Sequence, residues 1–271
     1  MGGVSGAVLI LPFQVSFLGF SGPAVSPTNL LYNIIAVPSG VYRYCREGRM
    51  VWPLTWIIIA GITPGLFFGA IVRIKYFPDA KTFKLFVGAV LLYIGIRLLA
   101  SLLKRGAEFM AKATGGGDFR IAGAKFGFKR ICYLFNDTQY YASTPGLFGL
   151  SLMVGLVGGA YGIGGGAIIA PFLVTMFRLP IHTVGGAALM STFISSLAGV
   201  IIYALISPYY SDTQLAISPD WFLGALFGLG GIFGMYLGAR LQKFVSARLI
   251  KSILAVCVLS IAVKYILEFF H

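Results

Sequence analysis

The run Gly162-Ile163-Gly164-Gly165-Gly166 lies inside a long apolar stretch, VGLVGGAYGIGGGAIIAPFLV, that continues past Pro171. Glycine gives up more backbone freedom on ordering than any other residue and weakens a helix by about 1 kcal/mol relative to alanine. Four glycines in five positions therefore interrupt any helix drawn through them. In hydrocarbon, backbone that leaves a helix is stable only where it is buried in protein or lines a wet cavity. An interrupted membrane segment is expected here, and discontinuous helices are where carriers place their binding sites.

Composition supports the membrane setting. The chain is 58% hydrophobic and 11% charged, against about 25% charged in soluble proteins. Apolar segments able to cross about 30 Å of hydrocarbon fall near 52–73, 82–103, 146–177, 183–206, 221–239 and 249–267, with weaker ones at 4–20 and 26–43. The start has no basic n-region, so no cleavable signal peptide is expected. The net charge of +13 reads as orientation signals and lipid-headgroup contacts, because the basic residues cluster at segment ends. No aromatic-interleaved basic surface points to nucleic acid. Cys45, Cys132 and Cys257 are isolated and form neither a disulfide framework nor a zinc motif.

Sliding the chain on itself exposes a duplication. At an offset of 159, Pro12-Phe13 falls on Pro171-Phe172, Gly40 on Gly199 and Tyr44 on Tyr203. After an insertion in the second half, Trp52, Gly61, Gly65 and Gly69 fall on Trp221, Gly230, Gly234 and Gly238, and Ala80 and Lys84 on Ala247 and Lys251. Each half is a glycine-broken segment followed by three spans, which gives a first repeat over 1–103, a polar connector over 104–145 and a second repeat over 146–271. The first copy has no counterpart of 146–159. The glycine triplets on these matching spans read as surfaces for close helix packing.

Charge decides how the halves are related. If the broken segments cross the membrane, basic residues divide evenly between the two sides. If they are re-entrant hairpins, the repeats are inverted. One face then collects Arg43, Arg46, Arg49, the connector's seven basic residues, Arg178, Arg240, Lys243, Arg248 and Lys251, which is fifteen against four at Arg73, Lys75, Lys81 and Lys84. The positive-inside rule favours the inverted arrangement, with the connector cytoplasmic and Ser207–Pro219 outside. The fold expected is an all-α polytopic membrane protein of two inverted repeats. Within the connector, Gly115-Gly116-Gly117 marks a break, and Lys125–Ser143, centred on Asn136-Asp137, suggests a short hairpin. A basic loop held near anionic lipid is the other reading of that segment.

The eight acidic residues, Glu47, Asp79, Glu108, Asp118, Asp137, Asp212, Asp220 and Glu268, all map to loops or span ends, as does His182, and His271 ends the sequence. That pattern supplies no mid-membrane carboxylate for a cation or proton relay and no catalytic pair or metal cluster, so neither an enzyme nor a cofactor is expected. A glycine loop cradling a nucleotide does not fit, since no soluble strand precedes the run. What remains suits a small anion. Helix ends at a glycine break expose N–H groups that favour negative charge. The candidate binding residues are Gly162, Gly164, Gly165 and Gly166, with Ser191, Thr192 and Ser195 at helical spacing. The first half offers Ser5, Gly6, Thr28, Asn29, Tyr32 and Asn33, and Asn33 aligns with Thr192. Packing, or back-bonding of the hydroxyls to their own helix, is the competing reading for the Ser/Thr set.

At these residues the chain resembles the TauE/SafE family of membrane permeases. GGAYGIGGGAIIAPFLV followed by LPIHTVGGAALMSTF is similar to the family's GGxxGIGGGxxxxP signature and its following small-residue span. FSGPAVSPTNLLYNIIAVPSGVYRYCREGRM resembles a variant of the first half, whereas GGVSGAVLILP departs from the signature at Ser5-Gly6-Ala7. The resemblance implies an all-helical secondary transporter in the cell membrane that exports sulfite or related organosulfur anions. Export of a monoanion needs no coupled ion, because 100 mV, interior negative, favours exit by about 2.3 kcal/mol. Two alternatives stay open at this point: a non-transporting membrane partner or assembly protein, and an importer of another small anion. Oligomeric state is not legible in the sequence.

Overall fold

A computed structural model gives the fold and describes residues 6–20, 22–103, 121–135, 138–213, 215–241 and 247–270. The first part contains α1 (Ala7–Ser16), α2 (Val25–Ala36), α3 (Pro38–Arg46), α4 (Trp52–Tyr76) and α5 (Ala80–Leu103). Three strands follow, β1 (Ile121–Lys125), β2 (Arg130–Phe135) and β3 (Thr138–Ser143). The second part contains α6 (Thr144–Tyr161), α7 (Gly166–Thr175), α8 (Ile181–Ile206), a 3-10 turn (Ser207–Thr213), α9 (Trp221–Leu241) and α10 (Ala247–Phe270). Among the described residues, five helices are long and apolar enough to cross a membrane: Trp52–Tyr76, Ala80–Ala100, Thr144–Tyr161, Thr183–Tyr210 and Ser252–Phe270. The apolar stretch read at 146–177 is two helices, broken between Tyr161 and Gly166.

Helix packing uses glycine to bring backbones together. A Cβ on Gly61 would lie 2.6 Å from Ser151 Cβ, and on Gly65 and Gly69 it would meet the carbonyl oxygens of Leu152 and Leu156. The contact is reciprocal, since Gly155 and Gly159 of α6 lie against the backbone of Ile62 and Leu66 in α4. Without a hydrophobic force between helices in lipid, such close approach is the main source of association. Gly230 and Gly234, the second-half counterparts of Gly61 and Gly65, behave differently. Among the described residues nothing lies within 4 Å of a Cβ on Gly230 or Gly234, and α9 instead packs on α2 through Gly224, Gly228 and Gly231, against Leu31, Ile35 and Tyr32. The expectation of packing at Gly230 and Gly234 is corrected. The helix carries two small-residue faces, and α2 occupies the other one.

The connector departs from an all-helical chain. Its three strands form an antiparallel sheet in the order β1-β2-β3. β2 and β3 pair with Arg130 opposite Ser143 and Phe135 opposite Thr138, in the hairpin register expected around Asn136-Asp137, and β1 adds a strand that the sequence did not disclose. Asn136-Asp137 themselves lie outside the described residues, as does Gly115-Gly116-Gly117. Ile131, Tyr133 and Phe135 alternate inward and are buried, the period of a strand with one covered face. Hydrogen bonds at Tyr133 and Thr144 tie the sheet to the helices. Tyr133 Oη and Thr183 Oγ1 are 2.8 Å apart at the start of α8. Thr144, the first residue of α6, donates Oγ1–H to Gly127 O at 2.6 Å and its N–H to Lys129 O at 3.2 Å.

Candidate substrate site at the helix break

α6 stops at Gly162, which has φ +86° and donates its N–H to Gly158 O at 2.8 Å. Gly164 also has positive φ, +69°, a conformation that costs an L-residue roughly 1–2 kcal/mol. Gly165 then opens α7 without a side-chain cap. Space is as restrictive as backbone shape. A Cβ on Gly162 would lie 2.5 Å from Ser26 O, one on Gly164 would lie 2.7 Å from Ser196 Oγ, and one on Gly166 would meet Ala188 O and Thr192 Oγ1. The break is therefore wedged between α2 and α8.

Breaking a helix in an apolar interior strands its last carbonyls. Here α2 supplies the donors. Ser26 Oγ donates to Ala160 O at 2.9 Å, Asn29 Nδ2 to Gly162 O at 2.9 Å and Asn33 Nδ2 to Ile163 O at 2.7 Å. Asn29 Nδ2 also reaches Ala7 O at 3.1 Å, so one amide joins the start of α1 to the break before α7. Residues 26, 29 and 33 share one face of α2 by their spacing. Tyr203 Oη donates to Gly159 O at 3.0 Å, and Tyr161 Oη donates to Val8 O at 3.2 Å, the carbonyl that Pro12 leaves without a helical partner.

The remaining residues inferred from sequence are distributed as follows. Tyr32 Oη meets the position a Cβ on Gly6 would take, so Gly6 and Tyr32 adjoin at the start of α1. Gly6, like Gly165, is an N-cap without a side-chain cap. Ser191 and Thr192 donate to Ala188 O at 3.0 and 2.9 Å, and Ser195 to Thr192 O at 3.2 Å. Thr192 and Ser195 thus border the break, while the protons of all three hydroxyls rest on the carbonyls of α8. Thr28 faces elsewhere: it donates to Ala24 O at 2.7 Å and accepts the Asp220 N–H at 2.9 Å, which fixes the approach to α9. Ser5 lies outside the described residues. Thr28, Asn29, Asn33, Ser191, Ser195 and Ser196 have no exposed surface, so the centre is closed in this conformation.

Sequence reasoning passed over Ser26 and Ser196. Ser26 continues the 26/29/33 stripe, and Ser196 follows Thr192 by four residues; both signals are helical spacing. Ser196 Oγ and Asn29 Oδ1 are buried without a hydrogen-bond partner among the described residues. α2 takes the carbonyl oxygens of Ala160, Gly162 and Ile163, which removes three acceptors from the break. Two helices begin there, at Gly6 and Gly165, and the first N–H groups of a helix have no partner within it.

The sulfite exporter TauE/SafE family profile matches residues 1–265. The probable membrane transporter protein YunE of Bacillus subtilis (strain 168) is 24% identical over 279 aligned positions, which cover 98% of this chain and 91% of that protein. Sulfite exporter TauE/SafE family protein 5 of Arabidopsis thaliana is 35% identical over 80 residues, 30% of this chain and 18% of that protein. No solved structure matches. A family match over nearly the whole length, on a chain with five membrane-length apolar helices among its described residues, makes this protein a membrane transporter of the sulfite exporter TauE/SafE family.

Proposed function

We propose that the protein is a multi-pass plasma-membrane permease that exports sulfite or a related small organosulfur anion. The anion binds at the helix break, between the starts of α1 and α7. One observation carries this reading: Ser26, Asn29 and Asn33 take up three stranded carbonyls of the break, so that helix N-termini and the Ser196 hydroxyl outnumber the one unpaired acceptor there, Asn29 Oδ1. A site of amides and hydroxyls replaces an oxyanion's hydration without a buried countercharge, so the cargo is held weakly enough to leave.

The two halves are related as inverted repeats, with re-entrant broken segments. In support, α1 and α7 begin and end at the same offset of 159, α5 and α10 at 167, and α4 and α9 begin at 169. The turns after α1 and α7 also close alike, by Phe20 N–H to Gln14 O at 3.0 Å and Leu179 N–H to Leu173 O at 3.2 Å. α4 packs on α8 as α9 packs on α2, which is the exchange a two-fold relation between halves requires.

Proteoliposomes test the function directly. Efflux of sulfite, sulfate, thiosulfate and a sulfonate is followed with and without an imposed potential. Sulfite or sulfonate efflux above protein-free liposomes, accelerated by an interior-negative potential, is expected. Flux of none of the four would refute the reading.

A further inference from the structure

Gln14 lies two turns into α1, fully buried, and neither Oε1 nor Nε2 has a hydrogen-bond partner among the described residues. Ser16, the other polar side chain of this helix, is satisfied by Tyr265 Oη at 2.7 Å. Under the offset of 159, Gln14 falls on Leu173, which is also fully buried. The backbone around the two is the same, since each carbonyl accepts the N–H of the residue six positions on. This frame accepts leucine in one half, so the fold itself does not call for an amide in the other. Burying an amide with both ends unpaired is unfavourable, and a ligand that uses those ends explains its presence.

The position points to the same conclusion. Ala7, Leu11 and Gln14 are spaced i, i+4, i+7 on one stripe of α1, and all three are fully buried. Ala7 O accepts the Asn29 bond at the centre of the candidate site. Seven residues at 1.5 Å rise place the Gln14 backbone about 10 Å along the helix from that point. Side chains on a helix lean toward its N-terminus, so the amide is carried back toward the break.

We infer that Gln14 is a substrate-contacting, specificity-determining residue on the route of the anion, its Nε2–H donating to an oxygen of a small oxyanion as the anion moves along α1. This assignment rests on the permease reading. It also separates the halves functionally: the first carries a polar step along its broken segment where the second carries only Leu173.

The test uses Gln14→Leu, which copies the second half, in the full-length protein. Melting temperature and the KM for sulfite and a sulfonate are measured in parallel. The expected result is an unchanged or higher melting temperature, as an unpaired buried amide is removed, together with a KM raised about tenfold or more. Gln14→Met, which keeps the unbranched reach without hydrogen bonding, gives the same reading if the leucine variant does not insert. Gln14→Glu should remove flux by placing a carboxylate before an anion. Wild-type flux with an unchanged KM in both apolar variants would overturn the assignment of Gln14 alone. Absence of wild-type flux would overturn the permease reading and this assignment with it.

Discussion

Replacing Gly164 by alanine adds one methyl group where both backbone and space are restrictive. At φ +69° an L-residue costs roughly 1–2 kcal/mol, and the new Cβ would lie 2.7 Å from Ser196 Oγ and 3.3 Å from Ser195 Oγ. Ordinary carbon–oxygen contact is longer, so the hydroxyl or the loop must move, and overpacking of this size costs about 1–3 kcal/mol. The two terms together predict a loss of about 2–5 kcal/mol, enough to matter against a total stability of about 5–15 kcal/mol. Gly149 is the internal control: it lies in α6, is exposed, and has nothing within 4 Å of a Cβ. Gly149→Ala should be neutral or stabilising by up to about 1 kcal/mol. Thermal unfolding in detergent and sulfite flux in proteoliposomes are compared for the two variants. Gly164→Ala is expected to melt several degrees lower and to transport poorly, with Gly149→Ala like wild type in flux. Equal melting temperatures and fluxes for the two variants would refute the argument that the break is set by glycine geometry.

Further expectations concern topology and the connector. With the native cysteines replaced, a cysteine at Ser218 should react with an impermeant thiol reagent from outside intact cells, and one at Lys129 only after permeabilisation; labelling of both from one side would contradict the inverted arrangement. Tyr133→Phe removes the 2.8 Å contact with Thr183 and should destabilise by about 0.5–1.5 kcal/mol, read as a lower melting temperature at pH 8. Burial pushes the Tyr133 phenol from 10.0 up to about 12. Its stabilising contribution is then complete below pH 10 and is lost as the pH rises toward 12. The melting difference between wild type and Tyr133→Phe should be constant from pH 7 to about 9 and diminish only above 10.

The helix break was legible in the sequence because glycine at 162 and 164 is a backbone requirement, and both positions have positive φ. The first-half partners Asn29 and Asn33 were legible as types, though not as to task. Both were read as facing a ligand, and their amide nitrogens hold the carbonyls of the break. Thr28 sits one residue from Asn29 on the helix and therefore points about 100° away, toward Asp220. For α9, the sets 224/228 and 230/234 carry the same spacing, so sequence alone does not choose the face that packs; α2 meets the first. β1 was missed because IAGAK has a glycine at φ +60° and a register shift between Ala122 and Lys125, which hides the alternation that marks a strand.

Equilibrium binding reports directly on whether an anion occupies the helix break between the starts of α1 and α7. Radiolabelled sulfite is titrated onto purified protein, with Asn33→Asp as the near-isosteric comparison, which places a carboxylate oxygen where an amide nitrogen donates to Ile163 O at 2.7 Å. Saturable binding to wild type, lost in Asn33→Asp, is the predicted result. Binding of equal affinity in both proteins would contradict the site, because an anion at the break could not ignore a negative charge placed there.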